Sequence, residues 1–178
     1  MGNTKGATLL GTIKFLRRHR DAAHGLVPAE LHHYLVNEIR PSAWYPTPHF
    51  RELLRAAVAL FPGDRDTALE RYGEAGAREH AVLYGELIFN LTEAVPNVFV
   101  LWSMQHDTGS MSLIRQSPTK ATIELRDFED RERDFCRVTA GYLREGLSMN
   151  DFAGVAIREL NGRRPAFLPG AKTGALAV

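Results

Sequence analysis

Asp127-Phe-Glu-Asp-Arg-Glu-Arg-Asp-Phe-Cys-Arg-Val-Thr-Ala-Gly-Tyr-Leu-Arg-Glu-Gly-Leu147 is the stretch whose reading decides the fold. Phe135, Val138, Thr139, Tyr142 and Gly146 recur at helical spacing, with Cys136, Ala140, Leu143 and Leu147 one step round, which predicts one amphipathic helix with a wide apolar face. Arg133, Arg137, Arg144 and Glu145 are expected to look outward. Asp127, Glu129, Asp130 and Glu132 crowd the start, where carboxylates complement the helix dipole and one of them can cap it. Gly141 and Gly146 mark places where another backbone comes close, either a sheet or a second subunit.

Working outward, short alternating segments lie on both sides. Residues 110–116 carry Met111, Leu113 and Arg115 on one side and residues 120–127 carry Ala121, Ile123 and Leu125, with Ser117-Pro118-Thr119 as the turn of a hairpin. Residues 152–160 and 163–168 read as a second hairpin, because Asn161-Gly162 is a strong type I′ turn signal. Pro165 sends its last strand to an edge, and residues 169–178 read as a flexible tail.

Everything before residue 109 reads as helical. Leu9, Leu10, Ile13 and Leu16 define a helix over 7–19, followed by a loop at 21–25. Pro28 opens a second helix with Leu31, Tyr34, Leu35 and Ile39 on its buried stripe, and Pro41 stops it. Residues 41–48 hold three prolines and must be extended or turning. A third helix runs from Thr47-Pro48 through Phe61. Residues 64–91 predict two helices with a break near Gly73 and Gly76, and residues 95–104 suit a helix after Pro96, with a strand as the alternative. The resulting class is α+β. N-terminal helices pack with a four-stranded antiparallel sheet, strand-strand-helix-strand-strand, crossed by the helix at about residues 130–147. One domain is expected over 1–168, its helical part at about 7–105 and its sheet part at about 109–168.

The chain of 178 residues carries 22 basic and 21 acidic side chains, a net charge of +1, so bulk charge argues for neither nucleic acid nor a membrane surface. A basic patch at Lys14, Arg17, Arg18 and Arg20 is the one local exception, and helix C-termini favour cations in any case. A single cysteine excludes an intrachain disulfide and fits a cytoplasmic protein; no signal-like or membrane-spanning run is present. The seven histidines form no metal-ligand pattern, Cys136 sits on an apolar helix face as a packing residue, and neither a phosphate loop nor a nucleophile elbow occurs. No metal and no enzymatic activity are expected. The carboxylates between residues 124 and 134 alternate with arginines, as a solvated face does.

Several runs together resemble a known group: Trp44-Tyr-Pro46, Leu60-Phe-Pro-Gly-Asp64, Arg71-Tyr-Gly-Glu-Ala-Gly76, Leu101-Trp102, the hairpin after Gly109, and Cys136-Arg-Val-Thr-Ala-Gly-Tyr-Leu143. Over residues 9–160 they resemble an uncharacterised paralogous family of myxobacteria, itself distantly similar to haem nitric-oxide-binding and vinyl-reductase-like sensory domains. Those haem domains carry a proximal His and a Tyr-x-Ser-x-Arg motif. Residues 113–120 here, Leu-Ile-Arg-Gln-Ser-Pro-Thr-Lys, lack that triplet, and no His lies between Glu93 and Gln105. The resemblance therefore implies the fold without haem or another cofactor. The cysteine-rich signature of the vinyl-reductase-like relatives is absent too.

The expected function is a non-catalytic sensory or regulatory domain with an apolar ligand pocket between helices and sheet. Phe99, Trp102, Leu113, Phe135 and Tyr142 are the lining candidates, any of which could equally fill the core. The alternative is a protein-interaction module or homodimer acting through Trp44 and Tyr45 or the edge strand at 163–168. A weaker alternative is nucleic-acid binding through Arg17, Arg18 and their basic neighbours.

Overall fold

The computed structural model describes residues 2–84, 98–117, 120–128, 133–149, 158–160 and 173–177. Strand β1 (Asn3–Lys5) leads into α1 (Gly6–Arg18) and α2 (Arg20–Leu26). A 3₁₀ turn (Ala29–Leu31) and the short α3 (His33–Val36) follow, then β2 (Trp44–Pro46), α4 (Thr47–Val58) and the long α5 (Arg65–Tyr84). Beyond these come α6 (Val98–Gln105), β3 (Ser110–Ser117), β4 (Lys120–Arg126), α7 (Arg133–Ser148), β5 (Arg158–Leu160) and β6 (Thr173–Ala177).

The helical part is built on the apolar stripe the sequence predicts: Leu9, Ile13 and Leu16 of α1 are fully buried against Leu53 of α4 and Leu69 of α5. Two local expectations fail there. Residues 21–25 are not a loop but belong to α2, whose Ala23 is buried and accepts from Val27 N at 2.8 Å. The helix expected after Pro28 is cut to a 3₁₀ turn and the four-residue α3. Arg17 ends it by donating to the carbonyl oxygens of Tyr34, at 2.9 Å, and Asn37.

The helix expected over 127–147, α7, exists, but it begins at Arg133. Asp127 lies at φ 51°, in the left-handed region, so the helix does not start there. Its most extensive packing is against α5 rather than across the sheet. Gly73 and Gly141 make this possible. A Cβ at Gly73 would sit 2.0 Å from Val138 O, and one at Gly141 would sit 2.0 Å from Glu70 O, so each helix backbone occupies the other's missing side chain. Accordingly α5 runs unbroken through Gly73 and Gly76, where a break was predicted, because the close contact outweighs the low helix propensity of glycine. Arg137, Arg144 and Glu145, expected to face water, line this crossing instead. Glu70 accepts from Arg137 at 3.0 Å and Arg144 at 2.9 Å, Arg78 meets Glu145 at 2.7 Å, and Arg65 pairs with Asp134.

The sheets are antiparallel. β1 pairs with β2 in a small sheet that was not foreseen, with Thr4 opposite Tyr45. The larger sheet has the order β3-β4-β6-β5. Its first hairpin agrees with the sequence reading, with an irregularity between Leu113 and Arg115. Its second half does not: the expected pairing of two hairpins is replaced by β6, inserted between β4 and β5. Residues 173–177, read as tail, thus form an internal strand, because its backbone finds partners on both sides. The Asn161-Gly162 turn and the 163–168 strand lie outside the described residues. No helix among the described residues is long and apolar enough to cross a membrane.

Candidate functional site

A second, smaller core lies where α6, the first hairpin and α7 meet. Trp102, Met111, Phe128 and Phe135 are buried there, with Leu125 and Leu143 packed against them. Residues 98–102 are all apolar, the composition of a helix enclosed on several sides. His106 N donates to Trp102 O at 2.9 Å, extending the last turn and setting the imidazole on the same side as Trp102.

The imidazole is only 6% exposed. It stacks on Trp102, with centroids 4.3 Å apart and planes at 28°, and meets Phe128 at 5.0 Å and Phe135 at 6.1 Å edge to face. Its polar contact comes from the start of the chain. Thr4 forms an antiparallel bridge to His106 and places its Oγ1 3.3 Å from Nδ1. Thr4 Oγ1 lies 3.0 Å from Thr47 Oγ1, and both threonines are buried. Next door, Asp107 N donates to Asn3 O at 3.1 Å and Asn3 Nδ2 donates to Asp107 Oδ2 at 2.7 Å, which clamps β1 over the end of α6.

Burial pushes the His106 pKa down to about 4, against the opposing charge of Asp107, so the ring is neutral at pH 7. Its Nε2 has no hydrogen-bond partner among the described residues. A neutral imidazole held by one nitrogen and open at the other is the donor arrangement of a metal-ligating histidine. One protein nitrogen is too few for a bare ion, which wants three or four ligands. It suits iron whose remaining positions are filled by a porphyrin. The residues present therefore fit a haem ligand on the imidazole side.

Of the predicted lining residues, Trp102 and Phe135 do come together, with centroids 6.0 Å apart. Phe99 lies in α6 and Leu113 in β3 opposite Ile123. Tyr142 is elsewhere: it faces α5, where its hydroxyl is 3.0 Å from His80 Nδ1. The described residues also line a cleft of about 10 Å³ between α4, α5 and α7, bounded by Leu54, Val58, Leu69 and Phe135, with room for about one water. Tyr45 is an anchor, its hydroxyl accepting from Arg40 N at 3.0 Å, whereas Trp44 stays 43% exposed with Lys5 Nζ 4.0 Å above its ring. Arg17 is committed to the end of α3, while Arg18 is exposed.

His106, Thr4, Thr47 and Phe128 were missed. For His106 a signal existed: it stands four residues after Trp102, at the end of an apolar helix, and so on that helix's buried side. For Thr4 none existed, since its partner is 102 residues away.

The chain matches no family model and no curated protein. Its fold does match solved structures. An oxygen-binding H-NOX domain related to soluble guanylate cyclases superposes with a TM-score of 0.65 at 10% identity, covering 97% of this chain and 93% of that one. A point mutant of the H-NOX domain of T. tengcongensis gives 0.65 at 10% identity, covering 97% and 95%. An H-NOX structure solved to probe the function of haem distortion gives 0.64 at 11% identity, covering 97% and 93%. The distant similarity to haem nitric-oxide-binding domains is thus real at the level of fold. These structures are of haem proteins, which overturns the expectation that the fold here excludes haem. The histidine-free window from Glu93 to Gln105 ends one residue before the buried His106.

Proposed function

We propose that the chain is a non-catalytic sensory domain that would bind haem in the seam between its helical part and its sheet, with His106 Nε2 as the protein atom that would hold its iron. The buried, neutral and half-committed imidazole of His106 carries the reading, and the haem proteins that share the fold support it. Bound haem supplies an iron to which a small gas can coordinate. The chain's own residues do the rest. Burial keeps the imidazole neutral, and Trp102, Phe128 and Phe135 supply an apolar surround that would keep water from a flat ring. Trp102, Phe128 and Phe135 pack against the imidazole, which fixes the plane of its ring.

The test is a titration of the purified full chain with hemin, followed by Soret absorbance. Stoichiometric uptake is expected, with loss in His106→Ala and recovery when free imidazole is added to that variant. A wild-type chain that takes up no haem, or a His106→Ala spectrum identical to wild type, refutes the assignment.

A further inference from the structure

We infer that Thr4 is a positioning residue for His106: backed by Thr47, its hydroxyl holds Nδ1 and leaves Nε2 as the nitrogen presented to a ligand. The ligand half of this statement rests on the haem reading, whereas the choice of ring nitrogen does not. Thr4 is fully buried and Thr47 is 2% exposed, so these hydroxyls, 3.0 Å apart, stand in for the water that would solvate Nδ1 elsewhere. A hydroxyl both donates and accepts. When Nε2 carries the proton, Thr4 donates to Nδ1. When Nε2 is bound by a ligand, Nδ1 carries the proton, Thr4 accepts it and turns its own hydrogen to Thr47 Oγ1. Both ring states are therefore accommodated by rotating two hydroxyls, with no side chain displaced. The hydroxyl is aimed by main chain on both sides, through the Thr4 to His106 bridge and the Thr4 to Tyr45 pair. Second-sphere partners of this kind, when removed, typically weaken metal binding by about 10- to 100-fold.

The experiment uses the full chain labelled with ¹⁵N-histidine, reading the ring nitrogens of His106 by NMR without ligand, and then titrating hemin. Thr4→Val removes the hydroxyl at nearly constant shape, Thr4→Ser restores it, and Thr47→Val removes the second hydroxyl, giving an independent reading should Thr4→Val not fold. Thr4→Ser is expected to give the same ring-nitrogen signals as wild type. Shifted ring-nitrogen signals are expected in both valine variants, with hemin binding weakened about 10-fold or more in Thr4→Val. Identical ring-nitrogen signals in wild type and the valine variants overturn the assignment even if hemin binds. If the signals shift but wild type takes up no hemin, the haem reading falls and the role of Thr4 stands.

Discussion

Replacing Gly141 by Ala probes the α5–α7 crossing at its tightest point. In an open helix this change would stabilise by about 1 kcal/mol, because alanine is the better helix former. Here the new Cβ would lie 2.0 Å from Glu70 O and 2.7 Å from Glu70 C, against ordinary contact that begins near 3.4 Å. The obstacle is main chain, which cannot rotate away, so the helices must separate by about 1 Å. Overpacking by one carbon costs about 1–3 kcal/mol, and the rigid neighbour puts this site at the upper end. The half-exposed pairs of Glu70 with Arg137 and Arg144 add less than about 1 kcal/mol each as they lengthen. Subtracting the propensity gain leaves a net loss of about 2 kcal/mol. Gly25→Ala is the control, since a Cβ there meets nothing within 4 Å and should stabilise by up to about 1 kcal/mol. Urea unfolding followed by circular dichroism would show a lower midpoint for Gly141→Ala and an equal or higher one for Gly25→Ala. In thermal melts the Gly141 variant should unfold about 4–8 °C below wild type. A Gly141→Ala protein as stable as wild type would refute the packing argument.

Two further outcomes follow from buried polar groups. His106 has a folded pKa of about 4 against 6.5 unfolded, so between those values the unfolded chain binds more protons. Its contribution is complete above pH 6.5 and is lost as pH falls toward 4. That separation corresponds to about 3 kcal/mol, and a His106→Phe variant should show a correspondingly flatter fall in stability over that window. Equal slopes for the two proteins would place His106 in contact with water. Tyr72→Phe removes the partner of the fully buried Thr12 hydroxyl and should lower unfolding free energy by about 1–2 kcal/mol, with an unchanged urea midpoint counting against that bond.

What was legible in the sequence is what local pattern can carry. The stripes of α1, α4 and α7 and the hairpin of β3 and β4 follow from spacing alone, since helical and strand periods are written in adjacent residues. What was illegible depends on distant partners. The continuity of α5 through Gly73 and Gly76 is decided by the backbone of α7, far along the chain, so a glycine that reads as a breaker is in fact a contact. The site divides the same way. Trp102 and Phe135 come together because large aromatics on predicted apolar faces meet in the core. His106 belongs to no multi-histidine pattern, and its one signal in the sequence is its place four residues after Trp102, at the end of an apolar helix. Thr4 sits in a segment too short for any periodic signal, and only the bridge to His106 gives it meaning.

The insertion of β6 has a consequence for how the larger sheet can come apart. Thr173–Ala177 is rich in glycine and alanine, residues with little intrinsic liking for extended structure, so pairing on both flanks holds it in place. Withdrawing this strand would uncover the 122–126 flank of β4 and take from β5 the strand it pairs with, in one event. Two raw edges, each able to template another chain, would then open together. The sheet's resistance to aggregation thus hangs on its least sheet-like strand.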